Sequence, residues 1–202
     1  MPDRYTLFYP VLTRRLNYKK TPVGDYYSDY HEYHDEIEED CQNRCVYCDI
    51  CLDEMGGEGM QLDHFRPKSI PEFESLGNDP RNLVLSCPKC NRLKWHHWPA
   101  DISTNATHTG GCGFIDPFKE DLKEYFEIEK TGEIKEIQNP SKYMIELLKL
   151  NRMARIQVRR KRFLKAEISR IMEEIENKVV EVQAMLSDRK IPRSKIISGV
   201  ST

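Results

Sequence analysis

The stretch Leu62–Ser69, LDHFRPKS, and the stretch Asn82–Lys94, NLVLSCPKCNRLK, decide how this chain folds. The first places Asp63 and His64 side by side at the end of a strand-like run, MQLDH (60–64). The second gives a strand candidate, Leu83–Ser86, then Cys87-x-x-Cys90, then Asn91 and Lys94. Pro88 suits the first turn of a helix that is expected to run through Leu93 towards His97. Between the two stretches lies a loop with Pro71, Gly77 and Pro80, and upstream sits Cys45-x-x-Cys48. The order is knuckle, strand, loop, strand, knuckle, helix.

A CxxC knuckle presents two thiolates from one tight turn, and zinc takes four such ligands tetrahedrally. Cys45, Cys48, Cys87 and Cys90 are therefore the expected structural zinc site. With 38 residues between Cys48 and Cys87, the insert must itself fold. The bland alternative is a set of reduced core cysteines. Cys51 makes an overlapping CxxC frame with Cys48 and is a rival ligand, whereas Cys41, Cys51 and Cys112 are expected to be ordinary thiols. A closed four-thiolate site has no open position, so this zinc would hold the fold and perform no chemistry.

Asp63 and His64 point to opposite sides of a strand end, which suits a division of labour. A histidine titrating near neutrality can act as a general base on water, while the carboxylate holds a hard metal ion. Asn91, just past the second knuckle, adds an amide oxygen fit for magnesium. Lys94, one turn on, is a candidate phosphate contact. Isolated Asp-His dipeptides are common, and only their combination with Asn82, the knuckle and Asn91 favours phosphodiester hydrolysis.

Residues 45–98 resemble the HNH (ββα-metal, His-Me finger) endonuclease family, in the subgroup with CxxC knuckles. The resemblance implies that His64 is the general base and that Asn82 braces the loop after it. It also implies that Asn91 and Asp63 ligate the catalytic Mg2+ or Mn2+. Many members carry His at the position of Asn91, a departure that bears on metal preference. HFRPKS, CPKCNRLK, FIDPF and LNRMARIQVRRKRF further resemble the HNH subunits of Septu-type and retron-linked anti-phage systems. That likeness implies an ABC-type ATPase partner (PtuA-like). DNA is the default substrate it implies, with tRNA or other RNA the alternative. A zinc-containing nucleic-acid-binding or interaction subunit, silent without its partner, is the competing class.

The expected fold is α+β: a zinc-stapled ββα core, a β-hairpin and a long C-terminal helical region. Residues 1–44 form an N-terminal arm and acidic helix, 45–118 the nuclease core, 119–187 the hairpin and C-terminal helices, and 188–202 a mobile tail. Within the arm, 1–27 is aromatic-rich, broken by Pro and Gly, and expected to pack irregularly on the domain. Ser28–Gln42 is expected to be helical, with Tyr30, His34, Ile37 and Cys41 on one face. His31 and His34 beside its acids are read as a solvated face rather than a metal site. Tyr125–Ile137 alternates about Thr131-Gly132 as a hairpin, and a helix covers about Lys142–Leu150.

From Arg152 to Ser187 there is neither Gly nor Pro. Leu164, Ile168, Ile171, Ile175, Val179, Val182 and Leu186 recur at helical spacing, a stripe expected to pack on other helices or on another chain. Charge nearly cancels at −2, which argues against a chain that grips nucleic acid tightly alone. It is nonetheless uneven: Asp25–Asp40 holds eight acids and no Lys or Arg, and Arg152–Arg170 eight basic residues and one acid. Arg66 and Lys68 are candidate phosphate contacts, with a loop salt bridge as the alternative. Arg159 and Arg160, in the basic run, are candidates to track a nucleic-acid backbone, with a solvated face, the favoured role, or a dock for acidic patches on a partner as the alternatives. Trp95 and Trp98 are candidates for stacking on bases, core packing being the favoured role. No signal-peptide pattern or membrane-length apolar run is present, so a cytoplasmic location is expected.

Overall fold

A computed structural model describes residues 7–188 of the chain. Its centre is a two-stranded antiparallel sheet. Strand β1 (Gln61–His64) pairs with β2 (Leu83–Ser86), setting Gln61 opposite Ser86, Asp63 opposite Val84 and His64 opposite Leu83. β2 is buried at all four positions, as its run of Leu and Val demands. Helix α2 (Pro88–Lys94) follows directly and packs against β1. Cys87 is extended at its N-cap, and Pro88 occupies the first turn, where its missing N–H is no loss. The helix stops at Lys94, short of the expected extension to His97. Trp95 takes the positive φ of 47° that turns the chain out of the helix.

Helix α1 (His34–Asp40) is shorter than expected, because Tyr30–Tyr33 winds as a 3-10 turn capped by the Asp29 carboxylate. Ile37 and Cys41 are buried as their spacing predicts, and Tyr33 joins them. The acids of this segment are not simply solvated. Arg15 reaches across from the arm to Glu36, Glu39 and Asp40, and Tyr18 donates to Asp40. The described part of the arm, residues 7–27, has no regular structure but is tied to the core at several points. Tyr9 stacks on Phe126 and bonds Asp49 and the Tyr47 carbonyl, and Arg14 donates to the carbonyls of Pro80 and Leu83.

The stretch before FIDPF (114–118) holds a minimal hairpin, β3 (His108–Thr109) with β4 (Cys112–Gly113). Gly113 sits at φ 133°, and a Cβ there would lie 2.4 Å from the His108 Cα, so only glycine fits. The second hairpin forms where the alternation places it, with β5 (Phe126–Ile128) pairing β6 (Ile134–Glu136). Helix α3 (Ser141–Leu147) follows, and then α4 (Met153–Asp188), 36 residues long. The Asn151 side chain between them bonds both the N–H and the carbonyl of Ile134.

The chain divides into one unit ending at Lys161 and a second beginning at Arg162. In the second unit, Arg170 pairs with Glu167 and Glu174, and the stripe from Leu164 to Leu186 is exposed at every position named above. The tail expected at 188–202 lies, Asp188 apart, outside the described residues. Among the described residues no helix is long and apolar enough to cross a membrane.

Candidate active site and metal centres

The two knuckles meet. The sulfurs of Cys45, Cys48, Cys87 and Cys90 lie within 4.8 Å of one another, and all four residues are buried. A tetrahedron of Zn–S bonds near 2.3 Å has edges of about 3.8 Å, and Cys48 Sγ lies 3.7 Å from Cys87 Sγ. The donor set and its size therefore fit zinc. Cys51 is not part of it: it caps a short turn with Glu54. Cys41 is buried with its sulfur accepting from the Leu85 N–H, and Cys112 is exposed.

An arginine completes this cluster. Arg152 Nη2 lies 3.6, 3.5 and 3.5 Å from the sulfurs of Cys48, Cys87 and Cys90. Burial works against the guanidinium's charge, and the Cys48 and Cys90 sulfurs beside it more than offset that, holding its pKa above the ordinary value. N–H donors of this kind orient thiolates and spread their charge. In the sequence Arg152 is one of the eight basic residues of Arg152–Arg170. Nothing in its local pattern distinguishes it from its neighbours.

The side chain of His64 at the end of β1 is largely buried. Its Nε2 lies 2.7 Å from the Gly77 carbonyl, which accepts, so Nε2 carries the proton and Nδ1 is left to take one. The Tyr30 ring meets the imidazole edge-on at 4.6 Å. Burial pulls the His64 pKa below its usual value, and the nearby Lys68 charge adds to this, so the ring is neutral at neutral pH. Asn82 spans the loop: Oδ1 accepts from the Arg66 N–H at 2.9 Å, and Nδ2 donates to the carbonyls of Arg66 and Leu76. The loop thus leaves and returns through one amide, one residue short of Gly77.

Asp63 is held on both sides. Its Oδ2 accepts from the Tyr47 hydroxyl at 2.6 Å, and Lys94 Nζ stands 3.1 Å from Oδ2 and 3.3 Å from Oδ1. Lys94 also donates to the His64 carbonyl at 2.8 Å and is fully buried. Lys94 therefore cannot meet a phosphate as expected, because its ammonium is spent on the carboxylate beneath the helix. Burial depresses the Lys94 pKa, and the Asp63 charge works to restore it. Tyr47, which lies between Cys45 and Cys48 and was not picked out from the sequence, stays a donor because burial and the adjacent Asp63 push its pKa up. Asn91 is half-exposed, and its Nδ2 donates to Gln61 Oε1 at 2.9 Å. Gln61 and Asp63 are two apart on β1 and share a face, so the Asn91 amide stands over the same face as the carboxylate. An amide oxygen and a carboxylate are donor types that a hard divalent cation takes.

The other basic candidates separate. Lys68 is exposed, with Nζ 4.4 Å over the Tyr30 ring that abuts His64. Arg66 leans on Phe73 and Trp98 and donates to the Asn105 carbonyl at 2.7 Å. Arg159 is only 1% exposed. It bonds the carbonyls of Gly132 and Leu150 and the Asn151 amide, so it braces the hairpin against α4 and is unavailable to a phosphate. Arg160 is exposed. His34, Asp35 and Glu38 lie together on the surface of α1, as a partly solvated face.

A family model for the HNH endonuclease matches residues 45–96. The chain is 26% identical over 168 residues to a Septu protein PtuB of Bacillus mycoides, covering 73% of this chain and 53% of that protein. It is 42% identical over 55 residues to a Septu protein PtuB of Bacillus thuringiensis, covering 27% of this chain and 20% of that protein. The chain thus spans about half the length of the first relative and a fifth of the second. No solved structure matches it. Both kinds of match agree with the resemblance carried by HFRPKS and CPKCNRLK.

Proposed function

We propose that this chain, which carries an HNH endonuclease domain at residues 45–96 and is similar to the Septu protein PtuB, is a metal-dependent endonuclease acting on nucleic acid, DNA by default. We place it in the cytoplasm, as the nuclease of an anti-phage complex with an ABC-type ATPase (PtuA-like). The observation that carries the reading is the ββα unit itself. It carries His64, with Nε2 bonded to the Gly77 carbonyl, at the end of the strand whose other face bears the Asp63 carboxylate and, over it, the Asn91 amide.

In this reading Asp63 and Asn91 hold Mg2+ or Mn2+. Asp63 and Asn91 would place that ion to supply charge neutralisation at the phosphate and the departing oxygen. His64 Nδ1 takes the proton of the attacking water as the new P–O bond forms and the old one breaks. The Gly77 carbonyl fixes the imidazole and stabilises its positive charge. Asn82 keeps that carbonyl in place, and Lys68 meets the phosphate. Cys45, Cys48, Cys87 and Cys90 hold zinc and take no part in the bond change. The exposed apolar stripe of α4 favours a further element, in which that helix docks a partner and activity appears only in the complex.

The reading is tested by cleavage of plasmid DNA and bulk tRNA in parallel, with Mg2+ or Mn2+ added or withheld. Cutting is expected only with added metal, and the preferred substrate separates DNA from RNA. Asn91→Ala should raise the half-saturating metal concentration at least about tenfold, since even outer-shell changes cost that much. Cutting that ignores the metal, or a half-saturation unmoved by Asn91→Ala, rejects the metal assignment.

A further inference from the structure

From Pro88 to Ala100 the chain holds no acid but carries Lys89, Arg92, Lys94, Trp95, His96, His97 and Trp98. The fold sorts these residues into two sets. Lys94 turns inward to Asp63, and Trp98 packs edge-on to Phe65 and Phe73 at 5.6 and 5.5 Å. Lys89, Arg92, Trp95, His96 and His97 remain exposed. Trp95 is 65% exposed, although burying an indole is among the larger gains open to a side chain. It also holds a φ of 47°, a conformation that bulky residues rarely adopt and that clusters at functional sites. The Trp95–His96 ring centroids are 5.7 Å apart, and His96 and His97 lie 6.0 Å apart with planes 21° from parallel.

This aromatic ledge is adjacent to the site. Trp95 follows Lys94, and its N–H donates to the Asn91 carbonyl at 2.8 Å. One peptide step and a lysine stem put its Cα on the order of 10 Å from the Asp63 carboxylate. Exposed aromatic rings interleaved with cations are the composition that receives single strands: rings take the base faces and cations track the backbone.

We propose that Trp95, with His96 beside it, is a stacking platform for an unpaired nucleobase next to the cleaved phosphate, with Lys89 and Arg92 following the backbone. This rests on the nuclease reading and narrows it. A base inside a duplex has both faces covered by its neighbours. The substrate this ledge accepts is therefore single-stranded or locally opened.

The test uses the full chain with His64→Ala, so that bound strands stay intact. The chain has two tryptophans, and Trp98 is buried, so quenchable emission belongs to Trp95. Binding of fluorescein-labelled single strands and duplexes of DNA and RNA is followed by anisotropy, and indole emission with unlabelled strands. Single strands should quench the emission. Adding Trp95→Ala should weaken single-strand binding by about 5- to 150-fold, the range of a lost base–aromatic stack. Trp95→Phe should restore most of the loss, and duplex affinity should barely move. Zinc content and melting should match those of the parent, since the side chain is exposed. Single-strand binding that leaves emission and Trp95→Ala affinity unchanged overturns the platform, as does failure of any strand to bind. If strands quench and Trp95→Ala loses affinity while the His64-intact protein never cuts, even with the ATPase partner present, the platform stands and the nuclease reading falls.

Discussion

Stripping zinc from the folded protein, or replacing Cys90 by Ser, is expected to abolish its cooperative melting transition. Structural zinc contributes about 10–16 kcal/mol in small domains, and a whole domain is stable by only about 5–15 kcal/mol, so the core has little to stand on without the ion. The consequence for activity follows from the knuckles' neighbours. The first knuckle carries Tyr47 and the second opens α2, which carries Asn91 and Lys94. Tyr47 and Lys94 converge on Asp63. A strong chelator should therefore remove cleavage that magnesium alone does not restore, whereas zinc followed by magnesium should. Metal analysis of clean protein should give about one zinc per chain, lowered by Cys90→Ser. Zinc well below one per chain with an unchanged melting curve would reject the four-cysteine site.

Lys94→Met is expected to destabilise the protein by about 3–5 kcal/mol, the cost of leaving one member of a buried ion pair alone. In a chain of this size that is a fall in melting temperature of about 10 °C. Asp63 would keep only the Tyr47 hydroxyl, and burial makes an under-compensated carboxylate expensive. Added Mg2+ or Mn2+ should recover part of the loss, because an ion on Asp63 supplies the missing positive charge. In the proposed site the ammonium near 3 Å and the ion would draw on the same carboxylate. Thermal melting of both proteins, with and without metal, checks this. Equal melting temperatures would show that Lys94 is not the partner Asp63 depends on, and a deficit that metal does not reduce would reject an ion on Asp63.

What the sequence made legible was whatever local spacing controls. CxxC turns fix the distance between their own sulfurs, so two of them announce the cluster. Alternation about Thr131-Gly132 announces the second hairpin, and a chain without Gly or Pro announces α4. What escaped depends on how elements meet. Lys94 follows Asn91 by one turn and reads as its companion at a phosphate. The sheet beneath α2 instead places Asp63 within reach of its ammonium. Arg152 and Arg159 sit in one basic run and have separate destinations, thiolates for one and the carbonyls around Gly132 and Leu150 for the other. Long, flexible side chains hide such endpoints from any period. Trp95 and Trp98 look alike in sequence, and only the turn after Lys94 sends one outward and the other into the core. The β3–β4 pair is two residues per strand, too short to alternate.

In the proposed mechanism His64, held through Nε2 by Gly77, removes the proton from the attacking water. The most direct measurement is the single-turnover cleavage rate of wild type against His64→Ala and His64→Gln, with magnesium or manganese and with zinc content and melting matched. Both variants are expected to bind the strand as wild type does and to cut it about 10²- to 10⁴-fold more slowly, the usual contribution of a positioned general base. Variants that cut at the wild-type rate would contradict it.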